Sequence, residues 1–197
     1  YSKDEGEILF EGKPVQIDSV DDAQKLGISM IHQELNMLPA RSVAQNIYMG
    51  REPVKNKLFH SVDMVKMIQN SRDLLDNLGV DLDPNIQVKE LSIAQQQMVE
   101  VAKALSIETR ILIMDEPTSS LTQREISALF RIVRSLCAQG IGIIYISHRM
   151  EEIFEIGDRV TVMRDGQYIG TVETKNTTMN DLVAMMVGRE IGDLYSH

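Results

Sequence analysis

Two short apolar segments, each followed directly by polar or charged residues, constrain the fold more than any other feature of the sequence. Residues 111–114 precede two carboxylates, Asp115 and Glu116, and residues 141–147 precede His148. A helical pattern separates the two segments. Strands with apolar residues at nearly every position are typical of parallel sheets that are covered on both faces. This order therefore predicts an α/β fold with a parallel-sheet core.

Further strands are predicted before and after this core. Residues 28–32 form another apolar segment and predict a third buried strand. Residues 6–15 predict two short strands joined by a turn, and residues 160–172 predict a hairpin around Asp165 and Gly166. An antiparallel β portion therefore accompanies the parallel core.

Four helices are predicted to begin at residues that favour helix N-termini, namely Ser61, Ser92, Thr122 and Thr178. The first ends at Gly79, and the second and third begin with the spacing of a capping box. The apolar residues of the third helix recur at helical spacing and include Cys137, the only cysteine. Cys137 is therefore predicted to be buried, and a lone thiol excludes an internal disulfide and suits a reducing compartment.

Charge and hydropathy exclude two classes of function. The 197 residues contain 20 Lys+Arg and 29 Asp+Glu, a net charge of −9, without a run of basic residues. Such a chain repels phosphate backbones, so nucleic acid is not an expected partner. The longest stretch without a charged residue, 135–148, is shorter than the ~20 apolar residues that a membrane helix needs.

The ends of the predicted parallel strands supply candidate functional residues, because ligands bind beyond the carboxyl ends of such strands. Asp115 is a candidate to hold Mg²⁺ through water, and Glu116 is a candidate to orient an attacking water. The alternative is a strand that ends in two solvated acids. His148 would emerge at the same edge as a hydrogen-bond partner for phosphate, and Gln33, just past residues 28–32, is a neutral amide that can reach a metal or a water.

The predicted helix after Ser92 offers a second candidate region. Free N–H groups at a helix start bind anions, and Ser92 and Gln95 lie there, although a helix that is merely capped explains the same two residues. The three consecutive glutamines 95–97 have no explanation in that alternative. The sequence contains no phosphate-binding loop of the form G-x-x-x-x-G-K-[ST], since Pro14 follows Gly12-Lys13.

In their order along the chain, these segments resemble the motifs of the ATP-binding subunit of ABC transporters. The matching segments are 31–35 (IHQEL, the Q-loop), 91–97 (LSIAQQQ, the signature), 111–117 (ILIMDEP, the Walker B strand), 119–122 (SSLT, the D-loop) and 146–149 (ISHR, the switch histidine). Five motifs in the correct order and spacing are very specific, and the resemblance covers essentially the whole chain.

A narrower similarity points to the monosaccharide importers, the fused two-cassette ATPases of ribose, galactose or xylose uptake. It rests on the segments 34–38 (ELNML), 96–100 (QQMVE), 145–154 (YISHRMEEIF), 158–166 (DRVTVMRDG) and 187–191 (VGREI). The chain looks like the first cassette of such a protein.

The resemblance implies a role for each matched residue. Gln33 would contact Mg²⁺ and report the nucleotide state to the membrane subunit. Asp115 would coordinate Mg²⁺ through water, Glu116 would be the catalytic base for ATP hydrolysis, and His148 would bind the γ-phosphate.

The signature residues would act in trans. Ser92 and Gln95 would face the γ-phosphate of an ATP held by the partner cassette. Ile93 and Ala94 stand where the signature usually carries two glycines, so close approach of the backbone to phosphate is less easy. Thr122 stands where many relatives have Asp.

The resemblance also implies a domain organisation. Residues 1–197 would form a partial ATP-binding domain, with a helical subdomain at roughly 34–106 that touches the membrane subunit and a Walker B and H-loop core at roughly 107–197. Because the phosphate loop is missing and Tyr1 is not an initiator Met, we expect an N-terminally truncated domain.

Partners follow from the same resemblance. They would be a second nucleotide-binding cassette, fused or as a dimer, transmembrane permease subunits and, indirectly, a periplasmic or extracellular sugar-binding protein. The location would be peripheral, at the cytoplasmic face of the cell membrane. The alternative is a non-catalytic module that docks on a transporter cassette and regulates it, and the gene sequence upstream of Tyr1 discriminates the two.

We predict that residues 1–197 alone bind Mg-ATP weakly and do not hydrolyse it, because the loop that holds the β- and γ-phosphates is missing from them. Equilibrium binding of a fluorescent ATP analogue and a phosphate-release assay measure the two properties. Tight binding of ATP by these residues alone would contradict the prediction.

Overall fold

A computed structural model describes residues 3–56 and 61–188 of the chain. The chain forms two compact units, Tyr1–Ile146 and Ser147–His197. His60 and His197 lie outside the described residues.

The described strands are β1 (Ile8–Phe10), β2 (Lys13–Val15), β3 (Ile28–Ile31), β4 (Val54–Asn56), β5 (Ser61–Val62), β6 (Ile111–Asp115), β7 (Gly142–Ile146), β8 (Arg159–Arg164) and β9 (Gln167–Glu173). The described α-helices are α1 (Val20–Lys25), α2 (Val43–Ile47), α3 (Met64–Asn77), α4 (Ile93–Leu105), α5 (Gln123–Ala138), α6 (Met150–Ile156) and α7 (Met179–Val187). None of the helices within the described ranges has both the length and the apolar character needed to cross a bilayer.

The core of the first unit is a parallel sheet in the order β3–β6–β7. Ile31 pairs with Met114, and Met114 pairs in turn with Tyr145, so the three strands end at the same edge. This arrangement confirms the predicted parallel core. The pairs β1–β2, β4–β5 and β8–β9 are antiparallel, which confirms the antiparallel portion.

One face of the parallel sheet is covered by helices. Leu112 and Met114 of β6 are fully buried on this face. The ring of Phe130 in α5 meets that of Tyr145 in β7 edge-on, with centroids 6.2 Å apart. On the β3 side, the hydroxyl of Ser29 donates to the carbonyl of Ala104 in α4 at 3.0 Å.

The opposite face of the sheet differs from the sequence-based expectation. Met30, Ile144 and Ile146 lie on it and are 43%, 50% and 44% exposed. The prediction of cover on both faces is therefore wrong for the described residues. Side chains alternate between the two faces of a strand, and α4 and α5 both pack against the other face. Apolar strand composition alone does not say which face a helix covers.

The helices between β3 and β6 have an apolar cluster of their own. Its buried members are Val43, Ile47, Leu75, Leu82, Val88, Leu91, Val99 and Ala102. Asn46 in α2 is also buried, and its side chain fixes the preceding loop by accepting from the Leu38 N–H at 2.7 Å and donating to the Leu38 carbonyl at 3.1 Å. This segment is therefore held by its own core.

Two sequence-based details are wrong. Asp63 rather than Ser61 is the N-cap of α3: the Asp63 side chain accepts from the Lys66 N–H, while Ser61 belongs to strand β5. Cys137 is exposed rather than buried, because it lies in the last turn of α5 beside the buried Leu136 but on the solvent side.

The second unit contains the predicted hairpin. Asp165 and Gly166 both have positive φ (51° and 75°), as in the two-residue turns whose twist suits antiparallel strands. Thr178 is the N-cap of helix α7, and its side chain accepts from the Asp181 N–H. The helix packs against β8 with Leu182 buried.

We predict that the stability of the first unit falls at acid pH, because the carboxylate of Glu125 takes part in capping α5. Its carboxylate accepts from the backbone N–H and from the hydroxyl of Thr122, both at 2.8 Å, and these bonds lower the pKa of Glu125. Because the pKa of Glu125 is lower in the folded chain than in the unfolded chain, its ionised carboxylate stabilises the fold. This stabilisation is fully present above the unfolded-state pKa of about 4.3, and it is lost as the pH falls through the lower folded-state pKa.

Urea unfolding between pH 3 and pH 6 measures the effect. Glu125→Gln should unfold more readily than the parent at pH 6, and the difference should shrink as the pH falls. A constant difference across this range would contradict the assignment.

Candidate functional site

The candidate site lies at the carboxyl edge of the parallel sheet. Asp115 is the last residue of β6 and Glu116 follows it, while Gln33 comes two residues after the end of β3. Because β3 and β6 are neighbours and run in the same direction, the chain segments carrying these residues leave the sheet side by side.

The structure joins Gln33 and Glu116 directly. The Nε2 group of Gln33 donates a hydrogen bond to Oε2 of Glu116 at 3.2 Å, across 83 residues of sequence. Sequence patterns identified both residues but could not show this contact. Gln33 Oε1 accepts no hydrogen bond from the described residues, so the amide carbonyl is available to a ligand.

The backbone of Glu116 adopts an unusual conformation. Its φ is +45°, in the left-handed region that costs most residues roughly 1–2 kcal/mol. Its N–H donates to the carbonyl of Ile146 at the end of β7 at 2.9 Å, and the next two residues, Pro117 and Thr118, are buried. The sheet and this buried turn together hold Glu116 in place.

Asp115 lies on the accessible face of the sheet. It pairs with Ile146 in the β6–β7 register, and its side chain is half-buried. It therefore shares its face with the exposed Ile144 and Ile146, whereas Met114 points to the helix-covered face.

The chemistry of these groups suits a hard cation. Mg²⁺ in proteins usually takes one or two carboxylate oxygens and completes its shell with water and phosphate oxygens. Asp115 supplies a carboxylate and Gln33 an amide oxygen, and both are at the same edge. Within the described residues there is no cluster of three or more His, Cys, Asp or Glu side chains of the kind that would enclose a metal ion.

Ser92 and Gln95 form the predicted capping box at the start of α4. The Ser92 N–H donates to Oε1 of Gln95 at 2.9 Å, and the Gln95 N–H donates to Oγ of Ser92 at 3.3 Å. Both side chains are exposed, and in the described part of the chain they make no other hydrogen bond. The structure does not bring them into contact with Gln33. Ile93, where the signature usually has glycine, is 48% exposed.

The other two glutamines of this helix have different surroundings. Gln96 Nε2 donates to the carbonyl of Leu91 at 3.1 Å, which ties α4 to the preceding turn. Gln97 is 95% buried, and its Nε2 lacks a partner among the described residues. The three glutamines therefore have different roles: Gln95 caps the helix, Gln96 bonds to the preceding turn, and Gln97 is a buried amide.

His148 belongs to the second unit, and its joint action with Glu116 stays a prediction. Its side chain is exposed, whereas Glu152, four residues later, is only 3% exposed. Glu152 accepts a hydrogen bond from Ser147 and forms an ion pair with Arg149. Sequence analysis missed Glu152, because no pattern distinguishes it from the adjacent, exposed Glu151.

Comparison with known proteins gives consistent matches. A sequence profile of the ABC transporter family matches residues 1–119. The putative ribose/galactose/methyl galactoside import ATP-binding protein 2 of Agrobacterium fabrum is 52% identical over 195 residues, which are 99% of this chain and 38% of that protein. The galactose/methyl galactoside import ATP-binding protein MglA of Mannheimia succiniciproducens is 50% identical over 191 residues, 97% of this chain and 37% of that protein. The chain thus spans less than two-fifths of these relatives.

Solved structures agree on the fold. An ATP-binding cassette of an ABC transporter in its ADP conformation superposes with a TM-score of 0.79 at 25% identity, over 96% of this chain and 79% of that one. A nucleotide-free cassette superposes with a TM-score of 0.76 at 24% identity, over 88% and 71% of the two chains.

We predict that the left-handed backbone of Glu116 reverses the usual order of glycine and alanine substitutions. Both Glu116→Gly and Glu116→Ala remove the side chain, but only glycine adopts φ +45° without strain. Glu116→Gly should therefore be more stable than Glu116→Ala by about 1 kcal/mol in urea unfolding.

Arg131, exposed in the middle of α5, provides the matched control. There the order should be the normal one, with Arg131→Gly less stable than Arg131→Ala by about 1 kcal/mol. The same order at both positions would contradict the assigned backbone conformation of Glu116.

Proposed function

This chain belongs to the ABC transporter family, and from that premise we propose that it is the ATP-binding and ATP-hydrolysing part of a protein that imports a simple sugar. The relatives named for ribose, galactose and methyl galactoside import support the sugar. The observation that carries the proposal is the hydrogen bond from Gln33 to Glu116 at the carboxyl edge of the sheet, because it unites the Q-loop-like and Walker B-like segments.

In this proposal Glu116 acts on the water that attacks the terminal phosphate. Its carboxylate orients the water and accepts its proton as the new P–O bond forms and the bond to the ADP oxygen breaks. The hydrogen bond from Gln33 and the constrained backbone restrict where this carboxylate points. Positioning of this kind, together with electrostatic stabilisation, is what a protein contributes to phosphoryl transfer.

Asp115 and Gln33 would hold Mg²⁺, Asp115 through water and Gln33 through its amide oxygen. When bound, the ion neutralises negative charge on the phosphate oxygens. Gln33 would then contact both the cation and the proposed base, so a change at the nucleotide would alter the position of the loop after β3. This is how we expect nucleotide state to reach the helical segment that follows.

The remaining proposed site residues would also contact a γ-phosphate. His148 would donate a hydrogen bond to it from the second unit. Ser92 and Gln95 would approach it in trans from a second cassette, using the exposed start of α4. ATP bound between two cassettes would then close the pair.

We further propose the assembly in which this happens. Residues 34–106 would form the helical subdomain that touches transmembrane permease subunits, and residues 107–197 the Walker B and H-loop core. The separate apolar cluster between α2, α3 and α4 supports a subdomain that moves as one piece. A sugar-binding protein would be an indirect partner, and the chain would lie at the cytoplasmic face of the membrane.

We predict that Glu116→Gln, introduced into the full-length protein that contains this chain, retains ATP but hydrolyses it at least 100-fold more slowly. The amide keeps the shape of the carboxylate but cannot accept the proton from water. Phosphate release and filter retention of labelled ATP measure the two effects.

Glu108→Gln, an exposed loop substitution, is the control and should leave both measurements unchanged. Normal steady-state turnover at this site in Glu116→Gln would remove Glu116 from the proposed role.

A further inference from the structure

Glu152 is a buried carboxylate that the proposed reaction does not use. It lies in the first turn of α6 and is only 3% exposed, whereas its neighbour Glu151 is exposed. A buried carboxylate is costly unless charged and hydrogen-bonding partners compensate it. The partners of the Glu152 carboxylate therefore indicate why the fold tolerates its burial.

Both oxygens of Glu152 bind residues that flank His148. Oε2 accepts a hydrogen bond from the hydroxyl of Ser147 at 3.0 Å. Oε1 forms an ion pair with Nη1 of Arg149 at 2.9 Å. One carboxylate thus holds the residue before His148 and the residue after it.

A third contact closes the network. The backbone N–H of Arg149 donates to Oγ of Ser147 at 3.0 Å, so the Ser147 hydroxyl group accepts from Arg149 and donates to Glu152. The chain on either side of His148 is therefore fixed, while the imidazole itself stays exposed. Fixed backbone around an exposed side chain is the arrangement that holds a functional group ready for its ligand.

A cap for α6 does not account for the whole network. The N-cap residue Arg149 makes no side-chain capping bond, and the N–H groups of Glu152 and Ile153 donate to the Arg149 carbonyl rather than to a side chain. The bond from Ser147 to Glu152 reaches outside the helix, to the residue that precedes His148. Its effect falls on the position of the histidine.

We propose that Glu152 is a positioning residue for His148, acting through Ser147 and Arg149. The inference rests on the proposed function, in which His148 meets the terminal phosphate. Glu152 contacts no substrate in this account. Its carboxylate fixes the backbone from which the imidazole reaches the phosphate, and its loss lowers the fraction of time that the imidazole is correctly placed.

Steady-state ATP hydrolysis by the full-length protein tests the inference. Glu152→Gln keeps the size and one acceptor of the side chain but loses the charge that pairs with Arg149. We expect kcat to fall about tenfold with less than a twofold change in the KM for ATP. Glu151→Gln, the adjacent exposed position, should leave kcat unchanged.

The double variant separates positioning from a merely structural role. If Glu152 acts through His148, adding Glu152→Gln to His148→Ala causes no further loss of kcat. Losses that multiply would show that Glu152 acts independently of His148 and would overturn the inference. At Ser147, threonine should retain kcat because it keeps the hydroxyl, whereas alanine should reproduce the loss seen in Glu152→Gln.

Two outcomes distinguish the inference from the proposed function. If His148→Ala retains full kcat, the proposed role of His148 fails and the positioning role fails with it. Thermal unfolding shows whether Glu152→Gln is folded. If this variant is folded and fully active while His148→Ala loses activity, only the positioning role fails.

Discussion

The pairing of β6 between β3 and β7 is the constraint on which the candidate site depends. Leu112 and Met114 are fully buried on one face of this strand, and that burial fixes its register. A shift of one residue would expose both and would move Asp115 to the other face of the sheet. The contact between Gln33 and Glu116 requires the same register, because each residue leaves the sheet from the end of a neighbouring strand. Apolar packing therefore places the polar groups.

Much of this fold could be predicted from the sequence because its signals are local. The apolar segments 111–114 and 141–147 correspond to β6 and β7, and Ser92 with Gln95 forms the capping box that their spacing indicates. Burial in three dimensions was less predictable. Cys137 continues the apolar pattern of α5 but lies on its exposed side, and Ile144 is apolar but half exposed. A one-dimensional pattern records which residues are apolar, whereas exposure depends on where other elements pack.

The candidate site divides in the same way. Gln33, Asp115 and Glu116 could be named from their positions after apolar strands, and the chain's membership of the ABC transporter family agrees with the motifs in which they stand. The hydrogen bond between Gln33 and Glu116 could not be named, because it joins residues 83 positions apart. Nor could Glu152, since both it and Glu151 occupy the first turn of α6 and only the folded chain buries one of them.

Two features that sequence reasoning missed, the backbone conformation of Glu116 and the burial of Glu152, are departures from local rules. Among the described non-glycine residues with positive φ, Glu11 and Asp165 lie in hairpin turns and precede glycine, where this conformation is ordinary. Glu116 instead precedes a buried proline at the end of a strand. Glu152 departs from another rule by burying a charge. Departures of this kind persist only where the surrounding fold offsets them, and they concentrate at functional sites. Here they lie on Glu116, the proposed base, and beside His148, the proposed phosphate ligand. The locations of these energetically costly features therefore favour the same two positions, independently of the sequence motifs.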